Sequence, residues 1–245
     1  MVEQLEYFPA SDNSILVKFG DEIKREINQD IQAMVYLLEE EKITGVIEYI
    51  PSYTKLMIVY NPLIIDYHTL VAQLRELKEK IDIFTTPSTK IIEIPVMYGG
   101  EYGPDLETVA KYNSLSVEEV IKIHSSRDYL IYMLGFTPGF PYLGGMSKKI
   151  ATPRLKNPRE KIPAGSIGIA DHQTGIYPIS SPGGWQIIGR TPVKLFDPNR
   201  EAPFLLEAGS YLRFVPVFNE EVELIEEQIE MGEYRISVKK IDNDC

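Results

Sequence analysis

The sequence predicts an α+β protein in two domains, residues 1–88 and 89–245. Three observations predict it. Residues 14–96 alternate β-rich runs with stretches of helical apolar spacing. Residues 85–89, TTPST, break both patterns with a proline and four hydroxyl residues and read as a linker. From Tyr129 until residue 219, short strands separated by glycine and proline take over, the pattern of a β-barrel or sandwich.

The elements follow in order. SILVKF at 14–19 reads as a strand. From Ile23 to Glu41, apolar groups at Ile23, Ile27, Ile31, Met34, Val35, Leu37 and Leu38 keep helical spacing, with charges on the other face. GVIEYI at 45–50 and TKLMIVY at 54–60 are β-rich runs joined across Pro51 and Ser52. Tyr67–Ile81 returns to helical spacing through Leu70, Leu74, Leu77 and Ile81, and IIEIPV at 91–96 is a strand. Strand, helix, strand, strand, helix, strand is the ferredoxin-like pattern, although the last strand fits the second domain as well. Short helices are expected over 105–112 and 116–124. Ser116 and Glu119 form a capping box that opens the second of them. An acidic helix begins near residue 219 and stops at Gly232.

Between Gly135 and Pro192, ten glycines and eight prolines fall within 58 residues. Proline fixes φ and glycine opens φ > 0, so such a segment is a series of forced turns. Phe136, Phe140, Tyr142, Leu143, Tyr177, Trp185, Ile187 and Ile188 lie in the same stretch. That apolar load separates folded loops from disorder.

The chain has 245 residues, 44% of them apolar, enough for a real core. Its formal charge of −11 repels polyphosphate backbones and anionic bilayers, which argues against nucleic-acid and membrane partners. Cys245, the one cysteine, allows no internal disulfide. MVEQLEYFPASDN lacks the basic start and apolar core of a signal peptide. No apolar run reaches the roughly 18 residues of a membrane span. A cytoplasmic location is expected.

Six cations, Lys148, Lys149, Arg154, Lys156, Arg159 and Lys161, stand against the single acid Glu160. This is a local inversion of the chain's charge. Guanidinium forks between tight turns suit a carboxylate or phosphate, with Arg154 and Arg159 each set by a preceding proline. Solvated loop charges, or pairs with the acidic helix, would give the same composition. In SPGGWQIIGRTP, Gly183 and Gly184 expose backbone amides beside Trp185, with Arg190 five residues on. Trp185 is either the wall of a ligand site or a core anchor. His124 closes a helix, where the dipole favours histidine and where it is also a candidate acid or base. No G-x4-G-K-[ST] loop, CxxC or HExxH occurs, and no metal site is expected. AGSIG at 164–168 misses the serine-hydrolase elbow at its first position.

GFTPGFPYLGG, the PR-x4-R stretch from Pro153 to Arg159, IPAGSIGIA and TGIYPISSPGGWQIIGRTP resemble, in order, the bacterial family of 5-oxoprolinase B subunits. IPVMYGGEYGPDLETVAKYNSLSVEEVIKIHSSRDYLIYML upstream resembles it too. The family's older label is allophanate hydrolase subunit 1, and it includes KipI-type inhibitors of a sporulation histidine kinase. The resemblance implies a cyclophilin-like β-barrel for residues 89–245. It also implies work with the 5-oxoprolinase C and A subunits to cleave 5-oxoproline to glutamate with hydrolysis of ATP, and with magnesium in the assembled complex. On that expectation His124, Arg154 and Arg159 are catalytic, and Gly183, Gly184, Trp185 and Arg190 bind substrate or ATP. The alternative it implies is a protein that docks on a sensor histidine kinase and blocks autophosphorylation.

Overall fold

The computed structural model describes residues 5–81 and 89–241. Residues 85–88 of the linker reading at 85–89, and Cys245, therefore lie outside the described residues, while Thr89 opens a strand instead. The chain divides into two compact units, Met1–Pro87 and Ser88–Cys245.

The first unit runs β1 Glu6–Ser11, β2 Ser14–Lys18, α1 Arg25–Glu41, β3 Val46–Pro51, β4 Lys55–Tyr60 and α2 Tyr67–Ile81. Its strands form one antiparallel sheet in the order β1-β2-β4-β3. Strand alternation puts Ile15, Val17, Leu56 and Ile58 on one face. There they meet Ile31, Met34 and Leu38 of α1 and Leu70 and Leu74 of α2, all fully buried. Each such side chain contributes about 1.5–3 kcal/mol by leaving water. Sequence periodicity does not reveal β1, because Pro9 cannot donate to a ladder and the register slips between Pro9 and Ser11. An edge strand tolerates both. α1 starts two residues later than its apolar spacing suggests, leaving Ile23 exposed ahead of an N-cap, Lys24, that makes no side-chain cap.

The strand at 91–96 belongs to the second unit, as β5 Thr89–Tyr98. The edge beside β2, open to a last strand of the ferredoxin-like pattern, is held by β1 instead. After β5 come α3 Leu106–Tyr112, α4 Val117–Ser125, β6 Asp128–Leu134 and β7 Pro141–Gly144. They are followed by β8 Arg159–Ile162, β9 Ser166–Ala170, β10 Gln173–Ile176, β11 Ser181–Gly183 and β12 Gln186–Arg190. β13 Tyr211–Pro216, α5 Asn219–Glu230 and β14 Ser237–Ile241 complete the unit. The capping box on α4 is present with both of its hydrogen bonds.

The main sheet runs β10-β9-β12-β5-β13-β6-β7, with β14 also on β5. β5 and β13 pair in parallel, whereas the other pairs are antiparallel. The end strands β7 and β10 approach each other, so the sheet is a nearly closed barrel. Ile94, Val96, Tyr129, Ile131, Ile167, Ile169, Ile188, Leu212 and Phe214 fill its core, with Leu106, Val109 and Val120 of the two short helices packed against it. β8 and β11 form a separate two-stranded ribbon. Among the described residues, no helix is long and apolar enough to cross a membrane.

Candidate functional site

The β8–β11 ribbon and the start of β12 gather most of the residues singled out in the sequence. Arg159 opens β8 in register with Gly183 of β11. Its Nη2 donates to Asp105 Oδ1 at 2.7 Å, and its Nη1 reaches the Trp185 carbonyl at 3.4 Å. Asp105 comes from the turn before α3. Its Oδ2 accepts the Ile187 N–H at 2.6 Å, while its own N–H donates to the Ile187 carbonyl at 2.9 Å. With side-chain exposures of 32% for Arg159 and 10% for Asp105, the pair is shielded enough to fix the guanidinium without sealing it from solvent.

Arg154 lies on the neighbouring loop, held from both sides. Leu155 N–H donates to the Gly184 carbonyl at 2.7 Å, and Gln186 Nε2 donates to the Pro153 carbonyl at 2.9 Å. Its side chain is 57% exposed and stands 3.9 Å from Asp171, a contact too long and too wet to neutralise it. Among the described residues, the ion pairs of the 148–161 stretch go to Asp105 and Asp171, and α5 supplies none.

Tyr177 lies within the influence of both arginines. Burial raises its hydroxyl pKa, while the charges of Arg154 and Arg159 and a hydrogen bond from the Trp185 backbone work in the opposite direction. The approach requires Gly183: a Cβ there would stand 2.3 Å from Tyr177 Oη and 2.8 Å from Ile162 Cδ1. Trp185 is a half-buried packing anchor. One side of it packs with Ile162, Tyr177 and Ile187, and its ring meets Phe140 and Tyr177 edge-on, each with centroids 6.0 Å apart. The result is an aromatic cluster of Phe140, Tyr177 and Trp185 beside Gly183, with the Arg154 and Arg159 charges near Tyr177.

Two of the expected residues lie elsewhere. Arg190 is at the far end of β12, about 13 Å of strand beyond Gln186, and its Nε donates to the Ala164 carbonyl at 3.1 Å. His124 is in the barrel core, fully buried and stacked on Phe214 with centroids 4.4 Å apart. Thr174 Oγ1 donates to the Gly168 carbonyl at 3.0 Å, so it accepts from His124 Nε2–H at 2.8 Å. Nδ1 then accepts from Tyr98 Oη–H at 2.7 Å. The chain of bonds has one direction and ends on a carbonyl that takes no proton. Burial pushes the imidazole down to about 3 and the Tyr98 phenol well above its usual range, so both stay neutral.

Sequence reasoning missed Asp105 and Tyr177. Asp105 carries a visible signal only as an acid ahead of a helix, and its partner lies 54 residues away. Tyr177 reads as one apolar residue among many.

A nearly closed barrel carrying a separate two-stranded ribbon, preceded by a unit of one sheet and two helices, defines a carboxyltransferase-like fold. The chain belongs to the carboxyltransferase domain family, subdomains C and D, whose model matches residues 5–206. It is 44% identical over 241 residues to the 5-oxoprolinase B subunit of Bacillus subtilis, covering 93% of this chain and 97% of that one. It is 39% identical over 207 residues to the 5-oxoprolinase B subunit of Haemophilus influenzae, covering 84% and 95%. The crystal structure of TTHA0988 superposes with a TM-score of 0.75 at 35% identity; the match covers 84% of this chain and only 40% of that longer one.

Proposed function

We propose that this chain is the B subunit of an ATP-dependent 5-oxoprolinase, and that Arg154 and Arg159 receive the carboxylate of the cyclic amide against Trp185. The observation that carries the reading is the near full-length similarity to two 5-oxoprolinase B subunits. The cations beside the aromatic cluster agree with it, since 5-oxoproline is a small five-membered ring bearing one carboxylate. Arg159 is largely compensated by Asp105, so the site presents close to one net positive charge, a match for a monoanion.

The reaction breaks the ring C–N bond, with one water supplying hydroxyl to the carbonyl carbon and hydrogen to nitrogen, coupled to hydrolysis of ATP to ADP and phosphate, which consumes a second water. Charge develops on the lactam oxygen as it is activated, and a fixed cation stabilises it without reorganising. Arg154, exposed and only weakly paired, has the freedom to meet that charge. Gly183 and Gly184 present backbone beside the cluster. In this reading Arg190 braces the turn at Ala164, and His124 is a positioning residue that locks α4 to β5 and β10. The C and A subunits supply the remaining groups of the site. Magnesium ordinarily rides on nucleotide phosphates with one or two carboxylates. Among the described residues no group of three or more potential metal ligands gathers, and no step is assigned to the metal in this chain.

The test is 5-oxoproline-dependent ATP hydrolysis by the chain assembled with the C and A subunits, alongside emission of Trp185, the only tryptophan. Arg154→Ala and Arg159→Ala should each cut kcat/KM by about tenfold or more, the loss of a charged hydrogen bond. Trp185 emission should respond to 5-oxoproline in the wild type and lose the response in both variants. Full activity in either variant would remove that arginine from the site. An assembly with no such ATPase would remove the enzyme reading and leave kinase inhibition as the stronger one.

A further inference from the structure

β6 and β7 are joined by Gly135–Phe140, a turn closed by three backbone hydrogen bonds. Gly135 N–H donates to Phe140 O at 3.1 Å, Thr137 N–H to Gly135 O at 2.7 Å, and Phe140 N–H to Thr137 O at 3.0 Å. Within it Phe136 is held at φ +60°, a left-handed conformation that bulky residues avoid, and its side chain stands 78% exposed. Its ring meets Phe140 edge-on, with centroids 5.8 Å apart. That contact is too slight to explain either the strain or the exposure.

The turn is the start of a longer aromatic series. Gly139, at φ +81°, brings it so close to residues 195 and 196 that a Cβ would lie 2.9 Å from Phe196 Cβ. Phe196 forms an isolated bridge with Phe204, their rings 5.0 Å apart, and Phe204 is itself exposed. Phe136, Phe140, Phe196 and Phe204 thus continue outward from the Trp185 cluster. Lys194 and Arg200 border the series together with two acids, Asp197 and Glu201, so its edge carries charges of both signs. Two exposed rings, Phe136 and Phe204, backed by half-buried Phe196 and buried Phe140 and bordered by charge, have the form of an interface anchor.

We infer that this rim docks a different subunit of the same enzyme, one presenting an apolar centre with edges of mixed charge, and that docking covers the Trp185 cluster from outside. Three observations choose this occupant. The rim is continuous with the cluster through Phe140. A second copy of this chain would bring another −11 of charge to the contact. In TTHA0988 the part resembling this chain is 40% of the polypeptide, so there a further body is tied to it covalently. The inference rests on the 5-oxoprolinase reading above.

The experiment titrates the purified C subunit against the chain, with the mass of the complex followed by size exclusion and light scattering, for wild type, Phe136→Ala and Phe136→Gly. Both variants should weaken association by about tenfold or more, the effect of losing an aromatic anchor. Phe136→Gly should at the same time raise the thermal midpoint of the isolated chain, because glycine takes φ +60° freely. A stabilised fold with a weakened complex is a combination that a structural role for the ring would not give. Undiminished association of both variants would overturn the inference alone, as would a wild-type self-dimer lost in the variants. Intact association with a raised KM for 5-oxoproline would make Phe136 a lid over the cluster and overturn it too. No association of the wild type with the C subunit would overturn the 5-oxoprolinase reading itself.

Discussion

Asp105 holds two partners at once: one carboxylate oxygen accepts from Arg159 at 2.7 Å and the other accepts the Ile187 N–H at 2.6 Å. The guanidinium at the edge of the cluster is thereby tied to the strand that follows Trp185. Asp105→Asn keeps an oxygen for one of the two donors and turns an amide N–H toward the other. Folding stability should fall by about 1.5–3 kcal/mol, the range of a charged hydrogen bond. In the assembled enzyme KM for 5-oxoproline should rise more than kcat falls, since Arg159 retains its charge and loses its orientation. Denaturant unfolding and steady-state kinetics measure the two effects. Unchanged KM would show that the orientation of Arg159 is immaterial to binding.

Gly183 and Tyr177 make a second coupled pair. A methyl at 183 would stand 2.3 Å from the phenolic oxygen and 3.0 Å from Cζ, so Gly183→Ala must push the ring or the ribbon aside. Overpacking of this kind costs about 1–3 kcal/mol. Tyr177→Phe alone should cost about 1 kcal/mol, for the hydrogen bond from the Trp185 backbone. Together they should cost less than their sum, because removing the hydroxyl makes room for the methyl. A double-mutant cycle by denaturant unfolding reads this directly. Additive costs would mean that the ribbon moves instead of the ring, and that Gly183 serves the backbone and not Tyr177.

What the sequence shows and what it hides divide along the range of the interactions. α2 is legible to its ends because Leu70, Leu74, Leu77 and Ile81 repeat within one helix, and the cap of α4 is legible because Ser116 and Glu119 are three residues apart. The turn-rich segment announces itself through glycine and proline, and Arg154, Arg159, Gly183, Gly184 and Trp185 do meet there. Three features were beyond reach. β1 is an edge strand carrying Pro9, whose pairing depends on a neighbour and not on its own pattern. The parallel pairing of β5 with β13 joins segments about 120 residues apart. His124 looks like a helix-end histidine until tertiary packing places Phe214, Tyr98 and Thr174 around it. For β5 with β13 and for His124 the deciding contact is long-range and a single sequence carries no trace of it, whereas β1 pairs with the adjacent β2 and is hidden by its own composition.

Burial of His124 makes the stability of the fold depend on pH. The folded imidazole is pushed down to about 3 from an unfolded value of 6.5, so the neutral form is the one the fold accepts. Above pH 6.5 both states are neutral and the full stability is present. Below it the unfolded chain binds a proton that the folded chain refuses, and stability falls by about 1.4 kcal/mol per pH unit. Between pH 7 and pH 5 this group should remove about 2 kcal/mol. Glu93, Asp66 and Asp197, held below their usual range by their hydrogen bonds, act only at lower pH and leave this window clear. His124→Gln should be less stable than wild type at pH 7, for it gives up the stacking on Phe214, and its unfolding free energy should be flatter between pH 7 and pH 5. His68 and His172 are exposed and common to both proteins, so the difference between the two curves isolates His124. Parallel curves would mean that the imidazole reaches solvent and takes up a proton in the folded protein, which would return it to the set of groups able to move a proton during turnover.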